Sequence, residues 1–522
     1  MGHATLSELM SVKSVCGMNA VGALRVTGML VDLAADSKNE AGLRHAIILL
    51  EEFVKQGSPE IPRGIAQYFL GNAWAALRIL LRAERPESWD WEQEEFEKEI
   101  VALRTARQAT VRPDFPRELS CCIFTNLGNA LSHIGRFIEA IECWDNALNI
   151  APHFAMAQGN KGFFLFYYAG ALNDDGHRAV FARFAQEYLE RALNGELDQA
   201  AREGFKALLA RLQKITKSRG PVPRSFMDKY SLGRTREEKA YRKWCLGNRL
   251  FLNPLNDLGE YTIAARDVLT LPSVVVKRGE GPYYHGFFNQ MKQEFVSARY
   301  LLYSGSRTTT PHFSDKDVFL TNTMDYPAWC LAVEHQKLAF RSAYSILDKI
   351  SFFLNHYLGL GIPEKRVSFR GLWYNKQERK QGIRSEFASR RDWPLRGLYW
   401  LSKDLFEDQV GFRTSLDLDA QNLAEIRNHL EHKYLKLHGS CWSGPPDSSS
   451  PILMGLSDSL AYSLRREEFG RNAMKVLRLA RAALIYLSLS VHREERLRTS
   501  ARDPNARIAP ILLDTWEDNW KA

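Results

Sequence analysis

The sequence predicts an all-α chain in which a helical repeat array precedes a helical bundle with insertions. Three observations carry that expectation. A two-helix pattern recurs along the first 215 residues, five long segments between about 287 and 496 have helical apolar spacing, and strand-like spacing is confined to one short stretch, Leu269–Lys277. The expected organisation is an array over residues 1–215, a linker and irregular connector over 216–285, a bundle over 286–500 and a tail over 501–522. Hydrophobic residues make up 45% and charged residues 25% of the 522, which suits folded domains with real cores.

The clearest repeat runs from Cys121 to Phe154. Phe124, Leu127, Gly128 and Leu131 mark a first helix, Ala140, Trp144 and Ala147 a second, and Pro152 stops it. The small residues let two antiparallel helices approach, and the large ones fill the space between. Gln67–Leu80, with Leu70, Gly71 and Trp74, echoes the first helix. Its partner is expected around Phe96–Arg107, after the charged stretch PESWDWEQEE. Ala155–Leu193 reads as a further pair, with Gly162 in place but Lys161 where an apolar side chain is expected. Leu24–Phe53 reads as another. The pattern resembles the tetratricopeptide (TPR) repeat at Leu127, Gly128, Ala140, Trp144, Ala147 and Pro152. It departs from it at Phe124 and Leu131, where that repeat has tryptophan and tyrosine. The resemblance implies three to five stacked units with a concave surface for a protein, a peptide or a ligand trigger. The alternative is an array that props up the C-terminal half or mediates self-association.

The pattern breaks near Lys214, where ITKSRGPVPRSF reads as a linker. In the following YRKWCLGNRLFLNPLNDLGEY, the turn formers Asn253-Pro254 and Asn256-Asp257 interrupt Leu250, Phe251, Leu252, Leu255 and Leu258. This predicts a buried, irregular segment.

The five bundle helices are expected at about 287–303, 328–358, 395–406, 416–437 and 464–496. A large insertion, Gly361–Asp392, and the loop GPPDSSSP interrupt them. The second carries a polar stripe, Glu334, Lys337, Arg341, Tyr344 and Asp348, spaced three or four apart and so on one face. This reads as a ladder of surface ion pairs or as support for a site on a neighbouring helix. On the fourth, at about 100° per residue, Leu423, Ile426, Leu430, Tyr434 and Leu437 form one apolar stripe. Asn428, His432 and Lys436 fall on the opposite side, with Arg427 and Glu431 at the border. His432 is therefore expected to point into solvent or into a partner subunit. Histidine moves protons near neutral pH and arginine presents a planar fork to phosphate oxygens, so the cluster suits phosphodiester chemistry.

Net charge is +9, compatible with a polyanionic partner. The seven cysteines form no CxxC pair and no zinc spacing, and no carboxylate cluster suggests a two-metal nuclease. A GxxxxGK[ST] phosphate loop is absent, which argues against a nucleotide-dependent enzyme. Neither a metal nor a cofactor is expected. No signal-peptide pattern and no apolar run of about 20 residues occurs, so reduced thiols, a cytoplasmic location and no membrane partner are expected. The apolar run Ala482–Val491 fits a packed helix.

The stretch RNHLEH, with Arg427, polar Asn428 and His432 on a late bundle helix, resembles the motif of the HEPN superfamily, and the resemblance extends over about residues 240–500. It implies a metal-independent endoribonuclease working as a homodimer. In such a protein the RNA 2′-hydroxyl attacks the adjacent phosphate, leaving a 2′,3′-cyclic phosphate and a 5′-hydroxyl. His432 would act as general acid or base, Arg427 would stabilise phosphate charge, and Asn428 would position both. Glu334, Arg341 and Asp348 would support them. With the TPR-like array in front, the chain resembles HEPN effectors of bacterial defence and toxin-like systems, which the array would regulate or target. The alternative is a non-catalytic RNA-binding or protein-interaction adaptor whose bundle serves dimerisation.

Overall fold

The computed structural model describes residues 5–83, 89–217, 224–407, 413, 415–439, 458, 460–503 and 509–521. The chain is all-α, with two short strands among these residues. A short helix α1 (Leu6–Met10) leads into α2 (Ala20–Asp36) and α3 (Glu40–Lys55), each of the latter two capped by an asparagine, Asn19 and Asn39. Three further pairs follow. They are α4 (Glu60–Ala83) with α5 (Glu94–Ala109), α6 (Arg117–His133) with α7 (Phe137–Ile150), and α8 (Ala155–Ala171) with α9 (Asp175–Leu193). A single helix, α10 (Gln199–Lys217), packs on the last pair.

The spacing of small and large residues explains the pairing. A methyl group at Gly128 would lie 2.7 Å from the Trp144 indole nitrogen, so only glycine lets α6 and α7 close over that ring. Lys161, at a position expected to be apolar, is buried. Its ammonium is paired with Asp145 and donates to the Tyr188 hydroxyl at 2.9 Å. Asp145 also pairs with Arg249, so the charge is neutralised by a network that reaches beyond the array.

After α11 (Arg224–Met227) and α12 (Arg236–Gly247), the connector is buried. Asn253, Asn256 and Asp257 are as inaccessible as the leucines around them. The Asn253 side chain caps a 3-10 turn, Pro254–Asp257, and Arg481 reaches in to pair with Asp257 at 2.7 Å. Leu269–Lys277 is not a strand. Its Leu269 amide bonds to the Leu252 carbonyl and its Val275 amide to the Glu495 carboxylate, and it joins no ladder among the described residues.

The bundle consists of α13 (Tyr283–Arg307), α14 (Leu331–Tyr357), α15 (Ser385–Ala388), α16 (Trp393–Ser402), α17 (Ala420–His432) and α18 (Arg466–Ser500). Helix α18 packs against α13, α14 and α16, and its stretch 482–491 is buried throughout. Helix α17 is shorter than expected. It ends at His432, and Tyr434–His438 forms β1, paired in parallel with β2 (Ala461–Arg465). Tyr434, Lys436 and Leu437 are therefore not part of the helical wheel. Pairing won because it buries Leu435 and Leu437 and gives the buried Lys436 ammonium two carboxylates, Asp325 at 2.7 Å and Asp458 at 2.8 Å. The loop GPPDSSSP and Cys441 lie outside the described residues.

One apolar core runs from Trp91 to Val491 and so joins α5–α10 to the bundle, while α1–α4 hold most of a second core. The buried Asp404 accepts from Arg104 at 2.7 Å and from Arg136 at 2.8 Å, tying α5 and the α6–α7 turn to the end of α16. Gly135 (φ +86°) and Gly397 meet backbone to backbone at the same place. Among the described residues no helix is long and apolar enough to cross a membrane.

Candidate active site on the Arg427 helix

Helix α17 presents its apolar stripe, Leu423, Ile426 and Leu430, to the core. That fixes where its polar residues go. Arg427, half-buried at the border, turns toward α14. Its Nη2 donates to the Asp348 carboxylate at 2.7 Å, and its guanidinium carbon lies 4.4 Å from the centre of the Tyr344 ring. One turn further on, Glu431 faces Arg341 of α14 at 3.4 Å. Two members of the polar stripe, Arg341 and Asp348, are thus brought to α17. Glu334 is not. It lies two helical turns before Arg341 and pairs with Lys337 at 2.8 Å.

Asn428 and His432 are exposed, and neither side chain makes a hydrogen bond to another described residue. His432 is the last residue of α17, and the backbone swings at Lys433 into β1. Arg427 and His432 are five residues apart, about 140° around the helix, so they leave it in different directions. His429, between them, is held by the Glu425 carbonyl and stacks on Tyr462.

The electrostatics centre on Arg427. Burial pushes the Asp348 carboxyl above its ordinary value, and Arg427 opposes that shift. Burial weighs against charge on Arg427, but Asp348 outweighs it and holds the guanidinium firmly cationic. Tyr344 is pushed up to about 12 by burial and serves as a neutral platform for the cation. Sequence reasoning missed Glu407. This carboxylate lies within electrostatic reach of both Asp348 and Arg427 and is raised by burial, with one oxygen unpartnered. It comes from the loop after α16, and no periodic pattern marks it.

Beside the site is an exposed apolar loop. Val318, Phe319, Leu320, Met324 and Tyr326 are all solvent-facing, Phe319 at 98%. The loop is anchored to β1, which directly follows His432. The Ala328 amide donates to the Leu437 carbonyl at 2.7 Å, Asp325 pairs with Lys436, and Trp329 stacks on Tyr434. Among the described residues, no group of three or more His, Cys, Asp and Glu side chains is placed to hold a metal ion.

Residues 275–494 match the family described as LA2681-like HEPN. This part of the chain is a HEPN domain. HEPN domains are generally of ribonuclease type, commonly act on RNA and commonly dimerise. The match takes in all of α13 to α17 and most of α18, and so both helices of the Arg427 cluster. The N-terminal helices are consistent with repeats. No curated protein and no solved structure matches the chain.

Proposed function

We propose that the chain is a metal-independent endoribonuclease effector of a bacterial defence or toxin-like system, active as a homodimer through its HEPN domain. The observation that carries this reading is the arrangement of α17. Arg427 is oriented from beneath by Asp348 and Tyr344, while Asn428 and His432 stand free on the outer face. One protomer supplies only a half-site, since Arg427 and His432 diverge. A second copy laid against the exposed Phe319 loop brings two such sets together around a phosphodiester. His432 then takes the proton from the 2′-hydroxyl or gives one to the leaving 5′-oxygen, and Arg427 stabilises the charge on the phosphate. Asn428 positions them, with Arg341 and Asp348 as support; the exposed Glu334 has a weaker claim. Residues 1–215 are the TPR-like array that regulates or targets the enzyme, 216–285 the connector and 501–522 a tail. The protein works in the cytoplasm.

Induced expression in bacterial cells tests the effector reading. Wild type is expected to arrest growth and His432→Ala to be harmless at equal abundance. Arrest by both would overturn it.

One observation favours a second reading, a non-catalytic adaptor whose HEPN domain serves dimerisation or RNA binding. Arg427 and Arg341 are already paired with Asp348 and Glu431, as structural ion pairs would be. That reading predicts RNA binding or none, and no cleavage products.

A further inference from the structure

The repeat helices and the end of α18 enclose a cavity of about 1470 Å³, well above the roughly 300–1,000 Å³ of a usual small-molecule pocket. Its lining among the described residues includes eight arginines and two histidines, and no aspartate or glutamate. Arg78, Arg82 and Arg178 pair with Glu99, Asp90 and Asp175, none of which lines the cavity. Three further arginines of the lining lack a carboxylate partner among the described residues. Arg396 is 97% buried and donates to two backbone carbonyls, of His133 and Asp90, and its Nε has no acceptor. Arg493 and Arg496, on successive turns of α18, form no ion pair among the described residues. Gln93 Oε1 and Asn160 Nδ2 on the same walls are buried without partners. The neighbouring titrations show the positive field. His133 is pushed down to about 4 by burial together with Arg78 and Arg396, and Arg396 to about 10 by burial together with Arg82.

The cavity is also aromatic. Phe163 and Tyr167, one turn apart on α8, stand exposed in it with ring centres 5.1 Å apart. Trp89 lies 4.9 Å beneath the Arg396 guanidinium. A bare anion has no use for exposed rings, and an apolar ligand has no use for unpaired arginines. Alternating phosphates and flat bases use both.

We propose that this cavity binds a short single-stranded oligonucleotide, its phosphates on Arg396, Arg493 and Arg496 and its bases on Phe163 and Tyr167. No residue of α17 lines the cavity, so the site is separate from the Arg427 cluster and does not depend on the ribonuclease reading. The same chemistry has two sources, a free oligonucleotide signal or a stretch of the RNA strand being cut.

The test is fluorescence anisotropy on the full chain with labelled, uncleavable 2′-O-methyl RNA, as a 5′-phosphorylated tetra-adenylate and as a 20-mer. Both are expected to bind wild type with strong salt dependence. Arg493→Glu with Arg496→Glu, and separately Phe163→Ala with Tyr167→Ala, are expected to weaken binding about tenfold or more. All four side chains are accessible, so these variants fold. Equal binding of tetramer and 20-mer identifies a free oligonucleotide, and binding of the 20-mer alone identifies the substrate strand. Either supports the proposal if the variants lose it. No binding of either RNA, undiminished binding by the variants, or equal competition by pyrophosphate would overturn it. Cleavage of ordinary RNA is followed in parallel. Retained binding with no cleavage by wild type counts against the ribonuclease reading alone.

Discussion

Arg427 donates to the Asp348 carboxylate at 2.7 Å across the α14–α17 interface, and this pair sets the direction in which the guanidinium faces. The two side chains are each about two-fifths exposed, so the bond adds less than about 1 kcal/mol to stability. Its worth is orientation. Asp348→Ala is therefore expected to leave the urea midpoint nearly unchanged and to slow RNA cleavage about 10–100-fold. The adaptor reading expects no cleavage by either protein. Matched unfolding and cleavage assays check both halves of the statement.

The exposed loop that carries Phe319 and Leu320 predicts the dimer face. Phe319→Asp with Leu320→Asp is expected to halve the mass seen by sedimentation and to abolish cleavage, while helical content is kept. A double variant that sediments as wild type would place the interface elsewhere.

Asp404 links array and bundle. Burial opposes its charge, but Arg104 and Arg136 overcome that and hold its carboxyl below the ordinary carboxylate value. A depressed folded-state value means that this stabilisation is fully present above the unfolded carboxyl's value, roughly 3.9, and fades as pH falls below it. Asp404→Ala leaves the buried Arg104 guanidinium without its carboxylate and Arg136 with Glu139 alone, and is expected to cost about 3–5 kcal/mol at neutral pH. It should also flatten the acid limb of stability against pH, which denaturation from about pH 5 down to about pH 2 would show.

Gly135 has φ +86°, and a methyl group there would lie 2.4 Å from the Trp393 carbonyl oxygen. Gly135→Ala is expected to cost about 2–4 kcal/mol, from backbone strain and from forcing α16 away from the array. Chemical denaturation beside wild type measures it.

These relations differ in how far the sequence shows them. The α6–α7 pair is legible because Gly128 and Trp144 form a local small-against-large pattern, and the structure sets them in contact. The stripe on α17 is legible for the same reason up to Leu430. It misleads beyond His432, where Tyr434 and Leu437 keep a helical spacing but tertiary pairing with Ala461 and Leu464 takes over. The alternation of Leu435 and Leu437 was the available signal. The Gly361–Asp392 insertion packs Trp373 and Phe387 on Trp91, some 280 residues earlier, and no local period encodes such a contact. Glu407 was missed for the same reason. The direction of Arg427 toward Asp348 follows from facing helices, which a single wheel places only at a border.

The central claim is that His432 moves the proton in RNA cleavage. The direct test is the rate of RNA cleavage in EDTA by wild type and His432→Ala, with analysis of the product ends. His432 is exposed and unbonded, so the variant is expected to fold as wild type. The account predicts 2′,3′-cyclic phosphate and 5′-hydroxyl ends from wild type, and a loss of about 100-fold or more in the variant. Undiminished cleavage by His432→Ala, or activity in wild type that EDTA abolishes, would contradict it.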